Sequence, residues 1–365
     1  MPCLEAYEFK LRDGRQISGL TCGSQVTSAS DQASITLLLH GWLDNAASFT
    51  KLIPLLPASL GQIIAIDLVG HGLSDHLPKG CHYVFAQFIL DIVEILMTIN
   101  DNTHINLIGH SLGAGVCSML GSILAGLSRP LKRIILLDGL APLSHTPIES
   151  FGNLIKYYVK MKDANGSNGA GGTIKLFDSM REAAERRSQQ NIGGTMGVDE
   201  AILLAARGLV EVEGSEGVRR YKWRTDSRLL WPSLMRYTEP QLVWAMSNVE
   251  AEVLVILVKD GIYKPLLTLF NFGLFNLTFI PSMIFYVLAV VFSYFTRFDI
   301  FQKAHDICYK LRCLKKREVH MVPEGGHHAH LKDNGAQRIG SIISDWVERT
   351  EGKIIATSSN KIKLT

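Results

Sequence analysis

Little in this chain points to a charged partner. Charged residues make up 19% of 365, below the usual share of about 25%. Lysine and arginine total 37 against 34 aspartates and glutamates, a net charge of +3. A balance so near neutral lacks the basic excess that a nucleic-acid partner demands. Cysteine is also scarce. The six are Cys3, Cys22, Cys81, Cys117, Cys308 and Cys313, with no CxxC pair and no histidines beside them at zinc-finger spacing. They read as reduced thiols of an intracellular protein rather than a disulfide framework. The first ten residues, MPCLEAYEFK, carry charge where a secretory leader needs an apolar run. The last five, KIKLT, do not make the Ser-Lys-Leu peroxisomal ending. No internal repeat is visible. The expected location is intracellular, cytoplasmic before peroxisomal or membrane-associated.

Apolar residues, by contrast, are plentiful at 47%, and they come in a rhythm. Tyr7–Leu11 and Ile17–Thr21 flank Asp13-Gly14, a hairpin turn signal. Continuous apolar runs follow at Ile35–Leu39, Ile63–Ile66, Ile105–Ile108, Ile134–Leu137, Val253–Val258 and Val319–Val322. Helical spacing separates them, as at Phe88, Ile89, Ile92, Leu96 and Ile99. Buried strands alternating with helices predict an α/β fold, with a mostly parallel sheet covered on both faces. Such sheets bind ligands beyond the carboxyl ends of their strands, where His40, Asp67, Ser111, Asp138 and Asp260 fall.

The rhythm stops between about Leu143 and Asn248. Helical patterns appear near Phe151–Met161, Ile174–Arg187 and Glu200–Leu209, with no strand-like run, and DANGSNGAGG at 163–172 reads as a flexible loop. The predicted organisation is a core over 1–142, a helical lid over 143–248, a second core part over 249–350 and a tail over 351–365. Trp223, Trp231 and Trp244 are expected in the lid's core, on the burial habit of aromatic rings. Asp333–Arg349 is expected to be an amphipathic closing helix, with Ile339, Ile342, Ile343 and Trp346 on one face.

Chemistry concentrates at Gly109-His110-Ser111-Leu112-Gly113, a Gly-x-Ser-x-Gly match between an apolar strand and a small-residue helix. A serine on so tight a turn stands above the sheet, and glycines two residues away let the backbone close in. The helix that follows aims its amino terminus at the serine and favours a developing oxyanion. Ser111 is therefore the expected nucleophile. His40-Gly41-Trp42 follows the first buried strand, so the backbone N–H of Trp42 can join that of Leu112 as oxyanion donors. His40 itself reads as bonded to loop backbone, and Asp67–Asp75 as a structural corner.

A serine nucleophile needs a base and an orienting carboxylate, which follow it in this fold in the order acid, then histidine. His327, just after Gly325-Gly326, is the expected base, with His328 as the competitor; His328 and His330 otherwise read as surface or loop hydrogen bonders. Asp260 is the expected acid, with Asp138 as runner-up.

The segments His40-Gly41-Trp42-Leu43-Asp44-Asn45, Asp67–Asp75, the serine pentapeptide and Pro323-Glu324-Gly325-Gly326-His327 together resemble the α/β-hydrolase superfamily, and within it the animal branch called serine hydrolase-like proteins. The resemblance spans about residues 5–260 and 298–348, and Gly-Trp-Leu-Asp-Asn points to the narrower branch. It implies an eight-stranded sheet, a triad of Ser111, Asp260 and His327, and hydrolysis of an ester or thioester of a small or lipid-like substrate without metal or organic cofactor. A silent hydrolase fold used for binding is the alternative. Serine rather than aspartate at position 111 favours acyl transfer over dehalogenase-type alkyl chemistry.

One run departs from the pattern. Pro265–Thr296 carries no charge over 32 residues, long enough for one bilayer span of roughly 20 residues. A single span would part Asp260 from His327, and Pro281 divides the run into shorter pieces. An apolar hairpin touching a membrane peripherally, an acyl-binding wall and a translated intron all remain open, and a chain lacking 263–296 is expected to fold better.

Overall fold

The computed structural model describes residues 4–22, 33–166, 175–189, 196–213, 217–264 and 298–360. The apolar run Pro265–Thr296 lies outside the described residues, so its three readings are not addressed by them. Eight strands form the main sheet: β1 (Glu5–Lys10), β2 (Gln16–Cys22), β3 (Ser34–Leu39), β4 (Gln62–Ile66), β5 (His104–His110), β6 (Arg133–Leu137), β9 (Glu252–Val258) and β10 (Arg317–Val322). Their spatial order is β1-β2-β4-β3-β5-β6-β9-β10. The β1–β2 and β2–β4 pairs are antiparallel, and every pair from β4 through β3, β5, β6 and β9 to β10 is parallel.

Side chains alternate across each strand, and both faces are apolar. Leu37, Leu39, Ile64, Ile66, Leu107, Ile134, Leu136, Val253 and Val255 enter one core. It is closed by α1 (Phe85–Leu96), α2 (Leu112–Gly126) and α6 (Glu239–Ser247) through Phe88, Ile92, Leu120, Leu124, Leu242 and Met246. Their neighbours Leu38, Ile63, Ala65, Ile108, Ile135, Leu137, Leu254 and Ile256 face the other core, against Phe49, Leu52 and the closing helix. That helix, α8 (Asp333–Asn360), brings Ile339, Ile343 and Trp346 to the sheet and runs on through most of the expected tail. The apolar runs of β3, β4, β5, β6 and β9 are continuous because these strands have no solvent-facing side, whereas β1 and β10 at the sheet's edges are partly exposed.

Between β6 and β9 stand α3 (Pro147–Gly166), α4 (Met180–Ser188), α5 (Val198–Gly208) and α6. This stretch is not purely helical, as the sequence led us to expect. β7 (Leu209–Glu213) and β8 (Arg219–Trp223) make an antiparallel hairpin directly after α5. Its strands, LVEVE and RRYKW, mix charged with apolar residues and so carry no buried-strand signal. The tryptophans also divide. Trp223 packs on a small core under α4 and α5, and Trp231 sets its ring edge-on against Tyr157. Trp244 is 68% exposed, contrary to expectation, because α6 turns Leu242, Ala245 and Met246 inward instead. α7 (Phe298–Cys313) leads into β10.

Candidate active site

Ser111 sits between β5 and α2 with φ 52° and ψ −110°. A non-glycine residue in such a conformation costs on the order of 1–3 kcal/mol and persists only where its surroundings force it. They do so here. The Ser111 N–H donates to Leu137 O at 3.0 Å, and the Gly113 N–H to His40 O at 3.1 Å. A Cβ on Gly113 would lie 1.9 Å from Leu39 O, and one on Gly109 2.4 Å from Gly113 O. Both glycines are thus demanded by backbone packing between β3, β5 and the first turn of α2. The backbone N–H of Leu112, the first residue of α2, directly follows Ser111.

The His-Gly loop approaches from β3. His40 is buried and bonded to backbone on both sides: Nδ1–H donates to Gly41 O at 2.7 Å, and Nε2 accepts the Leu68 N–H at 2.9 Å. Burial lowers its pKa. Leu43 adopts φ 64°, and its N–H donates to Nε2 of His71 at 3.2 Å. The Trp42 indole N–H is occupied by Leu229 O at 3.2 Å, so its ring is tied to the segment between β6 and β9. Asp67 organises the next corner. It accepts the Ala46 N–H at 2.7 Å and the Leu73 N–H at 2.9 Å, and it pairs with Arg207 of α5 at 2.8 Å.

His327, 3% exposed, is held by a short bond from its Nδ1 to Oδ2 of Asp138 at 2.6 Å. This corrects the expected pairing with Asp260. Asp260 instead accepts the Gly326 N–H at 2.8 Å and braces the loop that carries the histidine. Asp138 follows β6 with φ 38° and is fixed by two further donors, Val258 N–H at 3.1 Å and Ile262 N–H at 3.0 Å. Gly261 makes room for it: a Cβ there would stand 2.2 Å from Asp138 Oδ2. Asp138-Gly139 and Asp260-Gly261 look alike in sequence. The difference lies in sheet order, since β6 neighbours the serine strand β5 and β9 stands one place further out.

His327 is joined to the serine segment as well. The residue before Ser111, His110, donates from Nε2 to the carbonyl oxygen of His327 at 2.9 Å. His328 and His330, expected as surface or loop hydrogen bonders, are buried in one cluster with His110 and Asp44. Burial and the neighbouring imidazoles hold the pKa of His110 well below its ordinary value, and burial takes His330 down to about 3. Although burial opposes it, His328, Arg187 and His110 hold the Asp44 carboxyl well below the usual carboxylate range. The cluster is not legible in the sequence because its members come from three segments far apart along the chain, around Asp44, His110 and His328–His330.

Known proteins place this architecture. The family model described as alpha/beta hydrolase fold matches residues 37–333. A serine hydrolase-like protein of Danio rerio is 26% identical over 313 residues, covering 86% of this chain and 81% of the relative. A serine hydrolase-like protein of Homo sapiens is 36% identical over 126 residues, 34% of this chain and 59% of the relative. Among solved structures, a hypothetical protein of Pseudomonas aeruginosa PAO1 superposes with a TM-score of 0.70 at 26% identity, covering 94% of this chain and 99% of that one. With its sheet order, the strained serine after β5 and the buried histidine after β10, and with this match over most of its length, the chain belongs to the α/β-hydrolase fold family and is similar within it to serine hydrolase-like proteins.

Proposed function

We propose that this protein is a serine hydrolase that cleaves an ester or thioester of a small or lipid-like acid through an acyl-enzyme on Ser111. In this reading His327 is the base. Its Nδ1–H is donated to Asp138, so Nε2 carries the lone pair that takes the proton from the serine hydroxyl. Asp138 takes the role first expected of Asp260, fixing the tautomer and stabilising the imidazolium. Ser111 Oγ attacks the acyl carbon, His327 returns the proton to the departing alcohol or thiol, and water repeats the sequence to free the acid. The N–H groups of Leu112 and Trp42 are the proposed oxyanion donors. The left-handed backbone of Leu43, next to Trp42, supports that assignment, since strain of this kind gathers at working loops.

The observation that carries the proposal is the 2.6 Å Asp138–His327 bond, made by a buried pair anchored to the segment of a strained serine. Labelling of the purified full chain with a fluorophosphonate probe tests it. Wild type should label in a time-dependent manner, and Ser111→Ala should not. A folded wild-type protein that stays unlabelled would replace this reading with a binding role for the same fold.

A further inference from the structure

His110 and Asp44 present two buried acceptors to each other with nothing between them. A carbonyl oxygen can only accept, so the bond from His110 Nε2 to His327 O fixes the proton on Nε2. Nδ1 is then a bare lone pair. It lies 3.7 Å from Oδ2 of Asp44, and neither atom has a hydrogen-bond partner. Both residues are almost wholly buried. Nε2 of His328 approaches the same carboxylate oxygen at 3.3 Å, without hydrogen-bonding geometry. The three atoms lie within 4.8 Å of one another.

Gly41 roofs this spot. A Cβ there would fall 2.8 Å from His110 Nδ1 and 3.0 Å from Asp44 Oδ2, so the space between the acceptors exists only because residue 41 has no side chain. Unpaired acceptors at this depth cost free energy unless something positive joins them.

We propose that Asp44, His110 and His328 form a buried site for one divalent transition-metal ion of the zinc class. Ligands at about 2.0–2.1 Å from tetrahedral zinc lie about 3.3 Å apart, close to the 3.3 and 3.7 Å found here. Two imidazoles and one carboxylate oxygen suit zinc, nickel or copper better than calcium or magnesium, which take sets of oxygens. The outer contacts fit as well. His110 holds its other ring N–H on a backbone carbonyl, the habitual support of a ligating histidine. Arg187 occupies Oδ1 of Asp44 at 2.9 Å and leaves Oδ2 as the single donor. The guanidinium also lowers the local affinity for any cation, which favours metals that bind imidazole strongly. The site is separate from the proposed hydrolytic groups, but its ligands adjoin them, His110 preceding Ser111 and His328 following His327.

The test uses the full chain, stripped with EDTA and titrated with zinc, with cobalt as the spectroscopic probe. One equivalent should bind per chain, zinc should raise the Tm, and cobalt should give the visible bands of a tetrahedral ion. Calcium should do none of these. His328→Gln and Gly41→Ala should each abolish the equivalent, while His320→Gln, which removes a half-buried histidine far from this spot and paired with Glu318, should keep it. A wild-type chain that binds no zinc and shows no Tm shift overturns the proposal without any variant, and leaves His328 holding a proton against Asp44 instead. Loss of binding in His320→Gln, or full binding in a folded His328→Gln, overturns it equally. Because metal content and Tm are read independently of labelling, the outcome is distinct from that of the hydrolase proposal.

Discussion

Two aspartates of similar sequence setting are told apart by one bond each. Asp138 holds the ring nitrogen of His327, and Asp260 holds a backbone N–H one residue earlier. Asp138→Asn should slow fluorophosphonate labelling by roughly 10³–10⁴-fold, since an amide cannot fix the required tautomer. Asp260→Asn keeps an acceptor for Gly326 and should lose less than about tenfold, the worth of about 1 kcal/mol of hydrogen bond. The reverse ranking would return the acid to Asp260. Gly261→Ala offers an independent check. Its methyl group would displace the Asp138 carboxylate, and a shift near 1 Å can cost about 100-fold in rate. Labelling at wild-type speed in a folded Gly261→Ala would show that the carboxylate position does not matter. Ser111 and His327 were legible as a strained turn and a loop tip beside glycines. The aspartate that bonds His327 was not, because both aspartates end apolar strands, and only strand order in the sheet separates them.

Elements differ in how openly they announce themselves. The buried strands and α1 and α2 were readable because a strand buried on both faces or a helix packed on a sheet leaves an unmixed apolar record. The β7–β8 hairpin was not, since its residues are half solvated and it stands apart from the main sheet, tied beyond itself by a bridge from Tyr221 to Phe177. α5 is tied to the core by charge as well as by the buried Ala201, Leu204 and Ala205. Arg207 reaches the buried Asp67 and also donates to Gly19 O at 3.1 Å. Arg207→Ala leaves the carboxylate without its counter-charge and should cost about 3 kcal/mol in urea unfolding. Arg219→Ala breaks the pair with Glu211, whose arginine is 80% exposed, and should cost less than about 1 kcal/mol. Equal losses in the two variants would refute this account of α5.

The whole molecule carries an acid sensitivity set by its buried histidines. Burial takes His71 and His330 down to about 3 and lowers His40 and His110 as well. Unfolded, each binds a proton near pH 6.5. Between about pH 6.5 and 3 the unfolded chain therefore holds more protons, so stability falls as pH falls through that window and is fully present above it. Each such histidine contributes up to about 1.4 kcal/mol per pH unit. The Asp44 carboxyl adds stability above about pH 4 that is lost below it. Urea unfolding in EDTA at pH 7.5, 6.5 and 5.5 should give successively lower midpoints; a flat series would sink the argument.

The bond between Asp138 and His327 also has a consequence in time. Its partners are 189 positions apart, and a ribosome adding roughly 5–20 residues per second makes the aspartate about 10–40 s before the histidine. Throughout that interval the nascent chain displays Ser111 and Asp138 but not the histidine proposed as their base. Hydrolytic competence should therefore arrive in one step, after β10 has taken its place at the sheet's edge, and a release product ending before residue 317 should be inert however well its first strands have formed. A labelled band on a gel would then be a receipt for a finished chain.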